Sequence, residues 1–182
     1  ALCVCGINNI PTYEEATDGG WSHVLNQYQR RADLIPNLVE TVKGYAAHEK
    51  EVLTAVTEAR AKVNEIKVTP DMASNPEAMQ MFQEAQGQLG SALSRLLVTV
   101  ERYPDLKANQ NFLALQSQLE GTENRISVAR RDYIEAVRLY NTELKTIPGR
   151  WWKSLMYPES VPRATFDVAE EIKTTTPKVD FN

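Results

Sequence analysis

The chain has 182 residues, a formal net charge of −4, and 42% hydrophobic against 24% charged residues. That length suits one domain with a sizeable core, and the near balance of charge argues against a nucleic-acid binder. Only 8 glycines speak against a turn-rich β or α/β fold, and no run of about 20 apolar residues is present to span a bilayer.

The first stretch, ALCVCG, reads as the tail of an apolar signal region. Leu2 precedes Cys5 by the spacing of a bacterial lipobox, with Val4 where Gly, Ala or Ser is usual, so Cys5 is the expected lipid anchor. The alternative is the end of an uncleaved transmembrane helix. Either way the expected membrane partner is met through the N-terminus. Cys3 and Cys5 are the only cysteines. At i, i+2 they favour neither a mutual disulfide nor a zinc site. Residues 1–13 are expected to form anchor and tether, with the tether's character reaching to about residue 17.

From residue 14 a helical stripe begins. Trp21, Tyr28, Ile35, Val42, Val56 and Val63 share one heptad position, interrupted only by Glu49. Leu25, Ala32, Val39, Ala46 and Leu53 share a second. The phase passes through Pro36 unchanged, which predicts one helix over 14–66, kinked at Pro36 and about 80 Å long. The alternative is a break near Asp33, with Pro36 in a new first turn. Under the continuous reading, Pro36→Ala straightens the helix and leaves the core intact. Gly19 and Gly20 are expected to fray its beginning. The loop KVTPDMASNP (67–76) ends it.

A second helix is predicted from Pro76 or Glu77, with Phe82, Ala85, Leu89, Ala92, Leu96, Val100 and Tyr103 on its stripe. Tyr103-Pro104-Asp105 closes it, with Asp105 as a cap for the next helix. A third, about 60 Å long, carries Phe112, Leu115, Leu119, Ile126, Ala129, Tyr133, Ala136, Tyr140, Leu144 and Ile147, and stops at Pro148-Gly149. The fold class is therefore all-α: an antiparallel bundle of three long helices over 14–148, the first kinked at Pro36 or counted as two. Residues 149–182 form an aromatic and basic segment followed by an extended tail, part of it folded back.

The chemistry-bearing motifs are thin. His48-Glu49 invites a zinc reading, but H-E-x-x-H lacks its second histidine, and His23 is far away on the same helix. The expected role is a solvated helix face. No nucleophile elbow, phosphate loop or Glu-x-x-His motif occurs, so no catalytic residue, cofactor or metal is expected. Arg30-Arg31 and Arg130-Arg131 offer either a headgroup-binding patch or ordinary ion pairs, Arg131 with Glu135 among them. Trp151 and Trp152 cannot both face one helical stripe. One of them is expected to meet a partner, a membrane or the returning tail.

QRRADLIPNLVETVKGYAAHEKEVLTAVTEARAK (29–62) and RYPDLKANQNFLALQSQLEGTENRISVARRDYIEAVRLYN (102–141), with Ile147-Pro148 and a terminal PKVDF, resemble the LemA family. The resemblance implies a bacterial protein, attached to a membrane by its N-terminus, built as a helical bundle and without established catalytic activity. It also implies a link to a membrane zinc protease. The expected function is a non-enzymatic scaffold or interaction protein of the envelope. Its protein partners would be copies of itself or that metalloprotease. The alternatives are an adaptor of a membrane quality-control protease system and a lipid-interacting assembly protein. Cys5 favours the periplasmic or extracytoplasmic side, while a cytoplasm-facing bundle is the family's other arrangement.

Overall fold

The computed structural model describes residues 6–166. Among them are six α-helices, one 3₁₀ turn and no strand. The long helices are α1 (Asn9–Lys43), α2 (Lys50–Glu65), α3 (Pro76–Val100) and α5 (Gln110–Glu143). Shorter ones are α4 (Pro104–Lys107) and α6 (Gly149–Met156), and the 3₁₀ turn is Pro70–Ser74.

The expected break-free helix over 14–66 does not form. Helix α1 runs through Pro36 and ends at Lys43, and the chain reverses over residues 44–49. Helix α2 then returns along α1, so that Arg60 Nε donates to the Ala32 carbonyl at 3.0 Å. The misleading signal was the phase. The turn and its flanks occupy one heptad, so Val42, Ala46, Leu53 and Val56 keep their register while the chain changes direction. Ala46 lies in the turn itself and is fully buried, held by its N–H to the Val42 carbonyl at 2.8 Å.

Two further expectations are corrected. Residues 9–17 are not tether but the first turns of α1, because Ile10 and Thr17 are buried against α5. Gly19 and Gly20 lie inside the same helix, where a Cβ on Gly20 would stand at ordinary contact distance, 3.5 Å, from the Tyr133 backbone. With 35 and 34 residues, α1 and α5 are both about 50 Å long. They pair antiparallel, and the first helix falls short of the expected length of about 80 Å.

Helix α3 begins where sequence placed it. Pro76 takes the first helical position, and Asn75 Oδ1 accepts from the Glu77 and Ala78 N–H groups at 3.0 and 3.2 Å. Helix α5 is capped by Asn109, whose Oδ1 accepts from the Phe112 N–H at 3.1 Å. Asp105 instead falls in the first turn of α4.

The core has three tiers. One tier, at the 44–49 end, joins α1, α2, α3, α4 and the start of α5 through Ile35, Leu38, Leu53, Val56, Leu89, Leu96, Leu106 and Phe112. The middle tier is aromatic: Trp21 lies 5.4 Å from Phe82, 5.3 Å from Tyr133 and 6.0 Å from Phe166 between ring centroids. The last tier gathers Ile10, Tyr140 and Leu144 with Tyr13, Trp152 and Tyr157. Helix α2 ends before this level, so the segment 157–166 folds back to close the middle tier. Its Ala164 N–H donates to the Ala73 carbonyl at 2.7 Å, and its Ala164 carbonyl accepts from the Tyr133 hydroxyl at 2.7 Å.

Candidate functional site

Pro36 withholds the N–H that would normally bond the Ala32 carbonyl one turn earlier. Arg60, reaching across from α2, supplies that donor. Proline and arginine therefore form one structural device joining α1 to α2.

His48 and Glu49 sit in the 44–49 turn rather than on a helix face, which corrects the expected placement. The Tyr103 hydroxyl lies 2.6 Å from His48 Nε2 and donates to Glu49 Oε1 at 2.8 Å. Arg102 adds an ion pair to Glu49 at 3.2 Å. On the same turn, Asn109 donates to the Tyr45 hydroxyl at 2.9 Å. These bonds fasten the 44–49 turn to the connection between α3 and α5. Among the described residues no three His, Cys, Asp or Glu side chains converge on a metal-sized site.

The two arginine pairs do not make a common patch. Neighbouring residues on a helix point about 100° apart, so one member of each pair turns inward. Arg31 is 4% exposed. Its guanidinium donates to the Gln86 carbonyl at 2.9 Å, to Gln86 Oε1 at 2.6 Å and to Glu123 at 3.2 Å. Arg130 donates to the Tyr28 hydroxyl at 3.3 Å and covers the Phe166 ring at 4.5 Å. Arg30 and Arg131 are exposed. Glu135 pairs with Arg138, at 2.6 and 2.9 Å, and not with the expected Arg131. That bidentate contact lowers the Glu135 carboxyl below its usual range.

The sequence contained no signal for Arg163. It sits in the aperiodic returning segment, yet its guanidinium bridges Glu14 at 3.3 Å and Asp18 at 3.1 Å on α1, and it also bonds Ser74. Asn141 on α5 exchanges hydrogen bonds with the Arg163 backbone at 2.9 and 3.0 Å. One residue thus ties three elements together.

Trp151 and Trp152 separate as their adjacency requires. Trp152 packs on Ile10, Tyr140 and Leu144, whereas Trp151 is 64% exposed. Leu155, one helical turn on, is 74% exposed, and Ile147 and Met156 are exposed beside them. Leu144, Lys145, Arg150, Lys153, Ser154 and Pro158 line an open cleft of about 580 Å³. The chain before Asn9 arrives at this same end: a Cβ on Gly6 would stand 3.3 Å from the Pro148 ring. Cys5, the expected lipid anchor, lies outside the described residues. Lys145, Arg150 and Leu155 were not singled out by sequence, which marked the start of 149–182 only as aromatic and basic. The i, i+4 relation of Trp151 to Leu155 was the available signal.

A family model for the LemA family matches residues 20–181. The chain belongs to the LemA family. Among curated proteins, this LemA-family chain is similar to Magnetosome protein MamQ 2 and MamQ 1 of Paramagnetospirillum magneticum. Each is 26% identical over 175 residues, covering 87% of this chain and 63% of the relative. It is also similar to Protein LemA of Metamycoplasma hominis, 29% identical over 118 residues, which cover 65% of this chain and 49% of that protein. The chain therefore spans less than two thirds of the length of these relatives.

Proposed function

We propose that this chain is a non-catalytic helical scaffold of the bacterial envelope, attached to a membrane through its N-terminal end and engaging protein partners, copies of itself included. The observation that carries this reading is where the polar groups go. Arg31, Arg60, Arg163, Asn141 and Tyr133 each bond groups on other elements of the same bundle. Such contacts fix helices relative to one another and leave those side chains unavailable to a substrate. The molecule is organised to hold a shape.

Membership of the LemA family supports the membrane attachment, and the position of Gly6 beside Pro148 supports assigning it to that end of the bundle. Two relatives are named magnetosome proteins, and a scaffold role is compatible with that name. A subunit or adaptor of a membrane protease system is a narrower form of the same proposal.

Membrane fractionation of the native cells, followed by cross-linking and intact-mass measurement of the recovered chain, tests it. Recovery in the membrane fraction, cross-linked to itself or to a partner, is the expected result. Recovery as an uncross-linked monomer in the soluble fraction overturns it.

A further inference from the structure

Helix α6 divides into three sectors around its axis, at about 100° per residue. Gly149 and Trp152 face the bundle, where Gly149 abuts the end of α5 and Trp152 packs on Ile10, Tyr140 and Leu144. Trp151 and Leu155 face outward together and are 64% and 74% exposed. Arg150, Lys153 and Ser154 occupy the remaining sector and line the open cleft with Lys145.

Cations predominate along α6 and its flanks, bracketed by two acids: Glu143, whose Oε1 accepts from Asn9 at 3.2 Å, and Glu159. Residues 144–158 include three cations, Lys145, Arg150 and Lys153, and no acidic residue, in a chain whose net charge is −4. None of the three forms an ion pair among the described residues. A large indole and a leucine held outward beside unpaired cations match the layering of a bilayer interface. Tryptophan is favoured at headgroup depth, leucine reaches the acyl boundary, and the cations meet lipid phosphates. A protein partner would also bury Trp151 and Leu155. The bilayer is favoured because Gly6, at the N-terminal edge of the described residues, lies beside Pro148 at the same end as the cations, the end nearest the proposed N-terminal attachment.

We infer that α6 and the Lys145–Arg150–Lys153 cleft form a second membrane contact, selective for anionic lipid, which seats the end of the bundle on the bilayer. The inference deepens the membrane-attachment reading. It adds a surface that binds lipid without help from an N-terminal anchor and that sets the orientation of the bundle on the membrane.

The test uses the 182-residue chain carrying Cys5→Ser, so that no acyl group is present. It is mixed with vesicles of phosphatidylcholine alone or with 30% phosphatidylglycerol. Sedimentation with the anionic vesicles is expected, together with a blue shift of tryptophan emission that disappears in Trp151→Phe. Trp151→Ser combined with Leu155→Ser is expected to weaken binding at least about tenfold. Replacing Lys145, Arg150 and Lys153 together by Gln is expected to weaken it by about a hundredfold and remove most of its salt sensitivity. Met81→Ser and Val98→Ser, exposed on α3, serve as matched controls and should bind as before. Circular dichroism and thermal melting confirm that each variant folds.

Equal binding to neutral and anionic vesicles overturns the inference, as does binding that survives both α6 variants. So does a change in self-association, read by sedimentation velocity, with vesicle binding intact; the face is then a protein interface. Binding of free phosphate at millimolar concentration, with no binding to the anionic vesicles, would make the cleft a soluble-anion site and also overturn it. Failure here leaves the fractionation result for native cells untouched, so the two proposals fail separately.

Discussion

At Pro36 the chain lacks a donor, and at Arg60 it supplies one. The Ala32 carbonyl accepts from Arg60 Nε at 3.0 Å because residue 36 has no N–H to offer. Arg60→Ala should therefore cost about 1–2 kcal/mol. In a Pro36→Ala background the helix supplies its own bond, and the same substitution should cost less than about half as much. A double-mutant cycle by urea unfolding reads the coupling; two additive substitutions would show that Pro36 and Arg60 act independently. Arg31 presents a different asymmetry. It is buried and serves Gln86 twice, while the Glu123 side chain that it also meets is 45% exposed. Arg31→Ala is expected to cost about 3–5 kcal/mol, and Glu123→Gln less than about 1 kcal/mol. Similar losses for both would place the stabilisation in the ion pair rather than in the buried Gln86 contacts. Sequence revealed Pro36 but not Arg60, and Arg31 only as one of a surface pair. Periodicity marks which face a residue occupies, whereas a partner 28 or 55 positions away depends on how helices are laid beside each other.

Among the elements, helix identity was legible and helix continuity was not. The stripes of α3 and α5 are written in Phe82, Leu89, Leu96, Phe112, Leu119 and Ile126, all buried, and Asn75-Pro76 marks a start by its capping chemistry. The turn at 44–49 escaped because its length preserves the heptad phase and because Ala46 is as apolar as a core helix residue. In α1 the expected first position, Trp21, Tyr28, Ile35 and Val42, is buried, as is Ala32 of the second, but the rest of the second position moves by one residue. Val24 and Leu38 are buried where Leu25 and Val39 are only partly so, since the close α5 partner selects the narrower a/d seam. The glycines follow the same logic of contact over propensity. Gly19 has nothing within 4 Å of an added Cβ, so Gly19→Ala should stabilise the fold by about 0.5–1 kcal/mol. Gly149 lies at the other extreme: a Cβ there would overlap the Glu143 backbone carbonyl and stand 2.8 Å from its carboxylate oxygen. Gly149→Ala should loosen α6 from α5 and cost about 1–3 kcal/mol. Thermal melts of the two variants moving in the same direction would contradict this account.

Over the whole molecule, the α1–α5 pair is a spine, with α2 and α3 flanking one half and the returning strap and α6 flanking the other. Three tyrosines lie along that spine, and each has its hydroxyl committed: Tyr28 accepts from Arg130, Tyr133 donates to the Ala164 carbonyl, and Tyr140 donates to Glu14. Burial is the largest cause that raises all three above the ordinary tyrosine range, with the Glu14 carboxylate adding to it at Tyr140. An unfolded tyrosine loses its proton near pH 10, whereas these hold theirs to higher pH when folded. Above about pH 10 the unfolded state therefore binds fewer protons than the native state, and stability must fall as pH rises. Below that pH all three are protonated in both states and contribute no slope. Urea unfolding between about pH 8 and 11.5 should show a plateau followed by a decline of up to about 1.4 kcal/mol per pH unit for each tyrosine involved. Tyr133→Phe separates the two contributions of that residue. Near pH 8 it should be less stable than the parent by about 1 kcal/mol, having lost its bond to the strap. Its decline above about pH 10 should be shallower by one proton, because phenylalanine cannot ionise in the unfolded state. The two stability curves should then converge as the pH rises. Parallel curves would mean that Tyr133 ionises alike in both states, and that the strap closing the middle tier does not hold its hydroxyl in the folded protein.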